Sequence, residues 1–83
     1  MNKTFSDYAW EEYLAWQKEN KKVADKINKL IKDIDRNGHV GIGQPEPLKY
    51  DLAGYWSRRI TLADRLIYKI EDNIIYIIGC KGH

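Results

Sequence analysis

The side-chain pattern changes period once, across residues 37–47, and this change limits the possible folds more than any other feature. Before it, apolar residues recur every three or four positions. Tyr8, Ala9, Tyr13, Leu14 and Trp16 predict a helix over residues 7–19, with Trp10 flanking the stripe and Ser6 or Asp7 as cap. Asn20 breaks the run. Val23, Ile27, Leu30, Ile31 and Ile34 predict a second helix over residues 21–36, and Asn37-Gly38 suits a left-handed cap. The intervening stretch holds three Gly, two Pro and little periodicity, so it reads as a loop. After it, residues 48–52, 55–61, 65–70 and 74–80 read as strands, with turns at 53–54, 62–64 and 71–73. Residues 3–6 form a short strand or a lead-in. Two helices followed by a three- or four-stranded meander give an α+β fold, with two N-terminal helices packed on a small antiparallel sheet. The helices are expected to cover one face and leave the other open.

Alternation assigns side chains to those faces. Leu66, Tyr68 and Ile70 share one face, expected to meet the helices, and Arg65, Ile67 and Lys69 share the other. Ser57, Arg59 and Thr61 form the polar set of the preceding strand, so Arg59 should join Arg65. Arg58, beside Trp56 and Ile60, is expected at an edge.

Composition excludes several classes. A chain of 83 residues fits one domain, and 43% hydrophobic residues suit a globular fold rather than a disordered one. A lone Cys80 cannot form an internal disulfide, which suits a reducing cytoplasm, and it reads as a small buried hydrophobe. No signal peptide is visible at the N-terminus, and no apolar run approaches a membrane span. The net charge of +2 is weak evidence for a polyanionic partner, but residues 55–69 carry four cations (Arg58, Arg59, Arg65, Lys69) against Asp64. The lysines of the second helix (Lys22, Lys26, Lys29, Lys32) read as a solvated face, with RNA phosphate contact as the sharper alternative.

The chemistry-bearing residues are few. An isolated Glu46 in a Gly/Pro loop is ordinarily a solvated turn residue. Pro45 and Pro47 brace it, however, and its loop enters the first strand of the cationic face, so it is a candidate general base. Arg59 and Arg65 could be plain surface charges, or could hold phosphate oxygens as charge builds on a five-coordinate phosphorus. Lys49 would add a point charge. His83 follows an apolar strand that anchors it, and an ordinary imidazole pKa near 6.5 suits a general acid. A base, cations and an acid are the components of metal-free RNA cleavage. His39 reads as a surface residue. His39, Cys80 and His83 match no common metal-ligand spacing, and no metal or other cofactor is expected.

The segments AWEEYLAWQ, INKLIKDI, PEPLKYDLAGYWSRRIT, DRLIYKI and CKGH resemble the YoeB/Txe family of toxins from bacterial toxin–antitoxin pairs, within the wider RelE/ParE superfamily. The resemblance covers nearly the whole chain. It implies a compact microbial-ribonuclease-like (RelE-like) fold and cleavage of messenger RNA in the ribosomal decoding site. It matches the family's general base to Glu46, its phosphate-stabilising arginine to Arg65 with Arg59 and Lys49 in support, and its general acid to His83. It also implies neutralisation by a YefM-type antitoxin, operator DNA binding by the pair, and dimerisation in some members. Two departures stand out. The family usually ends His-Tyr, so a tyrosine after His83 is either removed or naturally absent, and substrate positioning should weaken without it. A bulkier residue often stands at the position of Gly82. The rival function is a ParE-like toxin that binds DNA gyrase without catalysis; a purely regulatory DNA- or antitoxin-binding module is a third.

Overall fold

The computed structural model describes residues 1–82. Strand β1 (Asn2–Phe5) leads through Ser6 into helix α1 (Asp7–Glu19), and helix α2 (Lys21–Asn37) follows after one residue. The remainder is β2 (Glu46–Pro47), a 3-10 turn (Tyr50–Leu52), β3 (Trp56–Arg59), β4 (Arg65–Glu71) and β5 (Ile74–Gly79).

The helices form where the apolar stripes place them. Ser6 caps α1, its Oγ accepting from the Ala9 N–H at 3.1 Å. Asn20 closes α1 and opens α2, its side chain accepting from the Val23 N–H. Gly38 ends α2 at φ +68. Helix α2 buries Val23, Ala24, Ile27, Leu30, Ile31 and Ile34 on one side. Each large aliphatic among them contributes roughly 2 kcal/mol of transfer free energy. They pack against Leu66, Tyr68, Ile75 and Ile77 of the sheet. Leu66, Tyr68 and Ile70 thus face the helices, as alternation requires. The 71–73 turn is also as expected, with positive φ at Asp72 and Asn73 giving the tight hairpin geometry.

The sheet has five strands in the order β1-β5-β4-β3-β2, and it is mixed rather than wholly antiparallel. β1 pairs in parallel with β5, from Asn2 opposite Ile74 to Phe5 opposite Ile77. It covers a β5 edge that would otherwise leave a row of backbone groups unpaired. Phe5 then packs on Tyr13 and Trp10, with ring centroids 5.2 and 5.6 Å apart.

Residues 48–52 do not form the expected strand. Only Glu46 and Pro47 pair with β3, opposite Ser57 and Trp56, and Leu48 adds one bond from its N–H to the Tyr55 carbonyl. The chain then curls into the 3-10 turn, with Tyr50 at φ +58. A two-residue edge strand accommodates Pro47, which has no N–H to donate. Leu52 lies over the second sheet face, and Ile67 there is only 3% exposed. That face is therefore open at its β2–β3–β4 end but partly roofed beside it.

Arg58 is not at an edge; it is wholly buried. Alternation turns it inward with Trp56 and Ile60, and the loop after α2 wraps its guanidinium. It pairs with Asp33 and donates to the carbonyls of Gly38 (2.6 Å), Ile42 (3.0 Å) and Val40 (3.2 Å), and to the Tyr68 hydroxyl (3.3 Å). Among the described residues no buried side-chain polar atom lacks a partner. His39 is likewise not a plain surface residue. Its ring stacks on Trp56 at 4.1 Å between centroids and 9° between planes, with Nδ1 3.4 Å from the Tyr68 hydroxyl.

Candidate active site

The Arg58 hub positions the loop that delivers Glu46. Asp33 accepts from the Ile42 N–H at 3.1 Å, and Gly43 accepts from the Arg59 N–H at 2.7 Å. Gly43 has φ +81, and a Cβ there would lie 2.8 Å from Leu30 Cδ2 and 3.2 Å from the Arg59 carbonyl oxygen. Only glycine lets the loop run this close to β3. Three residues later Glu46 enters the sheet opposite Ser57.

Glu46, Ser57, Arg59, Arg65 and Ile67 then fall on one face, because Glu46 pairs with Ser57, Ser57 with Ile67, and Arg59 with Arg65. Arg65 Nη1 lies 3.5 Å from Glu46 Oε2 and donates to Ser57 Oγ at 3.1 Å. Ser57 is fully buried, so it fixes one end of the guanidinium while the other stays accessible; the Arg65 side chain is 27% exposed and that of Glu46 64%. Glu46, Leu48, Leu52, Arg65 and Ile67 line a cleft of about 270 Å³.

Arg59 stands directly across the ladder from Arg65. Like charges in that position destabilise a sheet by a few tenths of a kcal/mol or more. Among the described residues Arg59 has no ion-pair partner. Two guanidinium groups against the one carboxylate of Glu46, on the neighbouring edge strand, leave an excess positive charge suited to a phosphate. Lys49 lies at the start of the 3-10 turn rather than on a strand, and it is exposed. His83 lies outside the described residues. Gly82 is described, and its carbonyl accepts from the Arg65 N–H at 3.1 Å. The peptide leading into His83 is thus fastened beside Arg65.

The family model for the YoeB-like toxin of bacterial type II toxin–antitoxin systems matches residues 5–83. The chain belongs to this YoeB-like toxin family. It is 46% identical to Toxin YoeB of Escherichia coli (strain K12) over 83 residues, covering 100% of this chain and 99% of the relative. A YoeB/ParE toxin from Agrobacterium tumefaciens superposes with a TM-score of 0.97 at 39% identity, over 100% of this chain and 99% of that one. Staphylococcus aureus YoeB in a YoeB-YefM complex gives 0.95 at 54% identity, over 100% and 97%, and has also been solved as a dimer.

Sequence alternation put Arg59 and Arg65 on one face, and the pairing of Glu46 with Ser57 adds Glu46 to it; alternation did not reveal Ser57 and Arg58 as organisers. Ser57 carried a visible signal, a small hydroxyl two residues before Arg59 on the same face. Arg58 carried only a contradictory one, a charge at an inward position.

Proposed function

We propose that the chain is a single toxin domain acting as a ribosome-dependent endoribonuclease that cuts mRNA in the decoding site. One observation carries this reading: Glu46 and Arg65 meet in a solvent-open cleft, with the peptide leading into His83 bonded to the Arg65 backbone. Glu46 takes the proton of a ribose 2′-hydroxyl. The 2′-oxygen attacks in line on the adjacent phosphorus, leaving a 2′,3′-cyclic phosphate and a 5′-hydroxyl. Arg65, oriented by Ser57, and Arg59 hold the phosphoryl oxygens, with Lys49 as a supporting cation. His83 protonates the departing 5′-oxygen. The guanidinium pair supplies the charge that a metal would otherwise bring, so the reaction needs none beyond what the ribosome requires.

Staphylococcus aureus YoeB, solved with YefM and as a dimer, supports an antitoxin partner and self-association. A YefM-type antitoxin neutralises the toxin, the pair binds operator DNA, and the free toxin can dimerise. The site of action is the cytoplasm; among the described residues no helix is long and apolar enough to cross a membrane.

The test is to incubate the protein with translating ribosomes and map new mRNA ends. Ends within the decoding site, bearing 2′,3′-cyclic phosphate, lost with Glu46→Gln and kept in the presence of a chelator that spares the ribosome, are expected. Intact mRNA together with trapped gyrase–DNA complexes would instead identify a gyrase-binding toxin on the same scaffold.

A further inference from the structure

We propose that Asp64 is a positioning residue for the proton-donor end of the site, acting through the peptide that leads into His83. This rests on the reading that His83 protonates the leaving oxygen.

Asp64 uses both carboxylate oxygens. Oδ1 accepts from the Gly82 N–H at 2.7 Å, and Oδ2 accepts from the Thr61 hydroxyl at 2.7 Å. Thr61 Oγ1 in turn accepts from the N–H groups of Asp64 (3.0 Å) and Ala63 (3.1 Å), which stiffens the carboxylate. The Gly82 carbonyl accepts from the next residue, Arg65, through its N–H at 3.1 Å. Both polar groups of Gly82 are therefore gripped by consecutive residues, and the second of these carries the guanidinium that faces Glu46. Gly82 sits at φ +80, a backbone conformation that such a grip helps to maintain.

The upstream end of the segment is fixed as well. The Cys80 N–H donates to Glu12 Oε1 at 2.8 Å, and its carbonyl accepts from the Trp16 indole N–H at 2.8 Å. Residues 80–82 are thus held by α1 at one end and by the β3–β4 turn at the other.

The turn does not need the Gly82 bond to close. Its backbone is completed by the Ile60 N–H (2.9 Å) and Thr61 N–H (3.2 Å), both donating to the Asp64 carbonyl. Its tip is solvent-facing, with Leu62 97% exposed. What Oδ1 adds to the bond between the Arg65 N–H and the Gly82 carbonyl is a second tether, which fixes the orientation of Gly82 as well as its distance from the Arg65 strand. Without it, Gly82 hangs on the Arg65 bond alone, and a displacement of about 1 Å at a reacting group can cost roughly a hundredfold in rate.

The experiment compares ribosome-bound mRNA carrying an ordinary linkage at the cleavage site with mRNA carrying a 5′-bridging sulfur there. A thiolate leaves without needing a proton, so a defect in acid catalysis disappears on the sulfur substrate. Asp64→Ala, with folding verified by circular dichroism, should cleave ordinary mRNA roughly 10- to 100-fold more slowly than the unmodified protein. On the sulfur substrate it should come within about threefold of it, as should His83→Ala, while Glu46→Gln stays slow on both. Should Asp64→Ala not fold, Asp64→Ser takes its place, keeping a turn-forming hydroxyl one bond too short to reach Gly82. Unchanged cleavage of ordinary mRNA by the Asp64 variant overturns the inference. So does an equal deficit on both substrates when His83→Ala is restored. If His83→Ala itself is not restored, the acid assignment fails and the inference goes with it.

Discussion

Arg58 and Arg65 lie one strand apart and have opposite roles. Arg65 is half-open to solvent, and its partners are a surface carboxylate and a serine hydroxyl. Arg58 is fully buried among carbonyls, a tyrosine hydroxyl and Asp33. Removing Arg58 strips those acceptors of their donor at once. Arg58→Ala should therefore destabilise the protein by roughly 3 kcal/mol in urea unfolding, whereas Arg65→Ala should change stability by less than about 1 kcal/mol. Equal costs for the two would contradict this division. The Arg58 hydrogen bond holds the Asp33 carboxyl below its ordinary value, with burial opposing it. The unfolded chain then binds more protons than the native one on acidification. This contribution is complete above about pH 4 and is lost as pH falls through the lowered native value. Asp33→Asn should accordingly be less stable near neutrality, and its melting temperature should change less below about pH 4 than that of the unmodified protein. A parallel acid-unfolding profile for the two proteins would exclude Asp33 as the source. Alternation grouped Arg58 with Trp56 and Ile60, but a charge in that set reads as an edge residue rather than a buried one. Its role was hidden because its acceptors are carbonyls of a loop 16 to 20 residues earlier, and carbonyls carry no residue-type signal.

Among the elements, the two helices were legible because each carries an apolar stripe and a capping residue within a few positions of its ends. Four-residue β1 carries no such redundancy. Its parallel pairing with β5 depends on an edge formed some 70 residues later in the chain. The strand expected at residues 48–52 lies instead at Glu46–Pro47, because PEPLKYDL alternates only weakly and Tyr50 adopts a left-handed backbone that ends any strand there. If β1 is held by its side chains as well as its backbone, Phe5→Ala should cost about 2 kcal/mol, less than for a fully buried ring, measured by denaturant unfolding. A change within error would mean that the aromatic cluster with Trp10 and Tyr13 contributes little. The loop after α2 has its own reporter. Burial, aided by the Arg58 charge, lowers the His39 pKa. The native state thus favours neutral His39, and its contribution is full above about pH 6.5 and declines below it. His39→Phe keeps a ring against Trp56 without a titrating group, so its melting temperature should fall less between about pH 7 and about pH 5. An unaltered slope would place the proton uptake elsewhere.

On the scale of the whole molecule, the sheet separates stability from the proposed chemistry. One face holds the apolar core with α1 and α2. The other presents the carboxylate and the two guanidinium groups at its β2–β3–β4 end. Cys80 belongs to the first function: burial pushes its thiol up to about 12, so it should resist alkylation at neutral pH until the protein unfolds. Rapid labelling of the folded protein would contradict that placement. The division into faces was readable from period-two alternation alone. The cleft was not, because it is completed by Leu48 and Leu52 where the chain departs from strand geometry. The central claim is that the exposed guanidinium of Arg65 stabilises charge on a phosphate during cleavage. Its most direct test is the single-turnover rate of ribosome-bound mRNA cleavage by Arg65→Ala, measured on folded protein. A fall of about a hundredfold or more is expected, and a rate within about twofold of the unmodified protein would contradict the account.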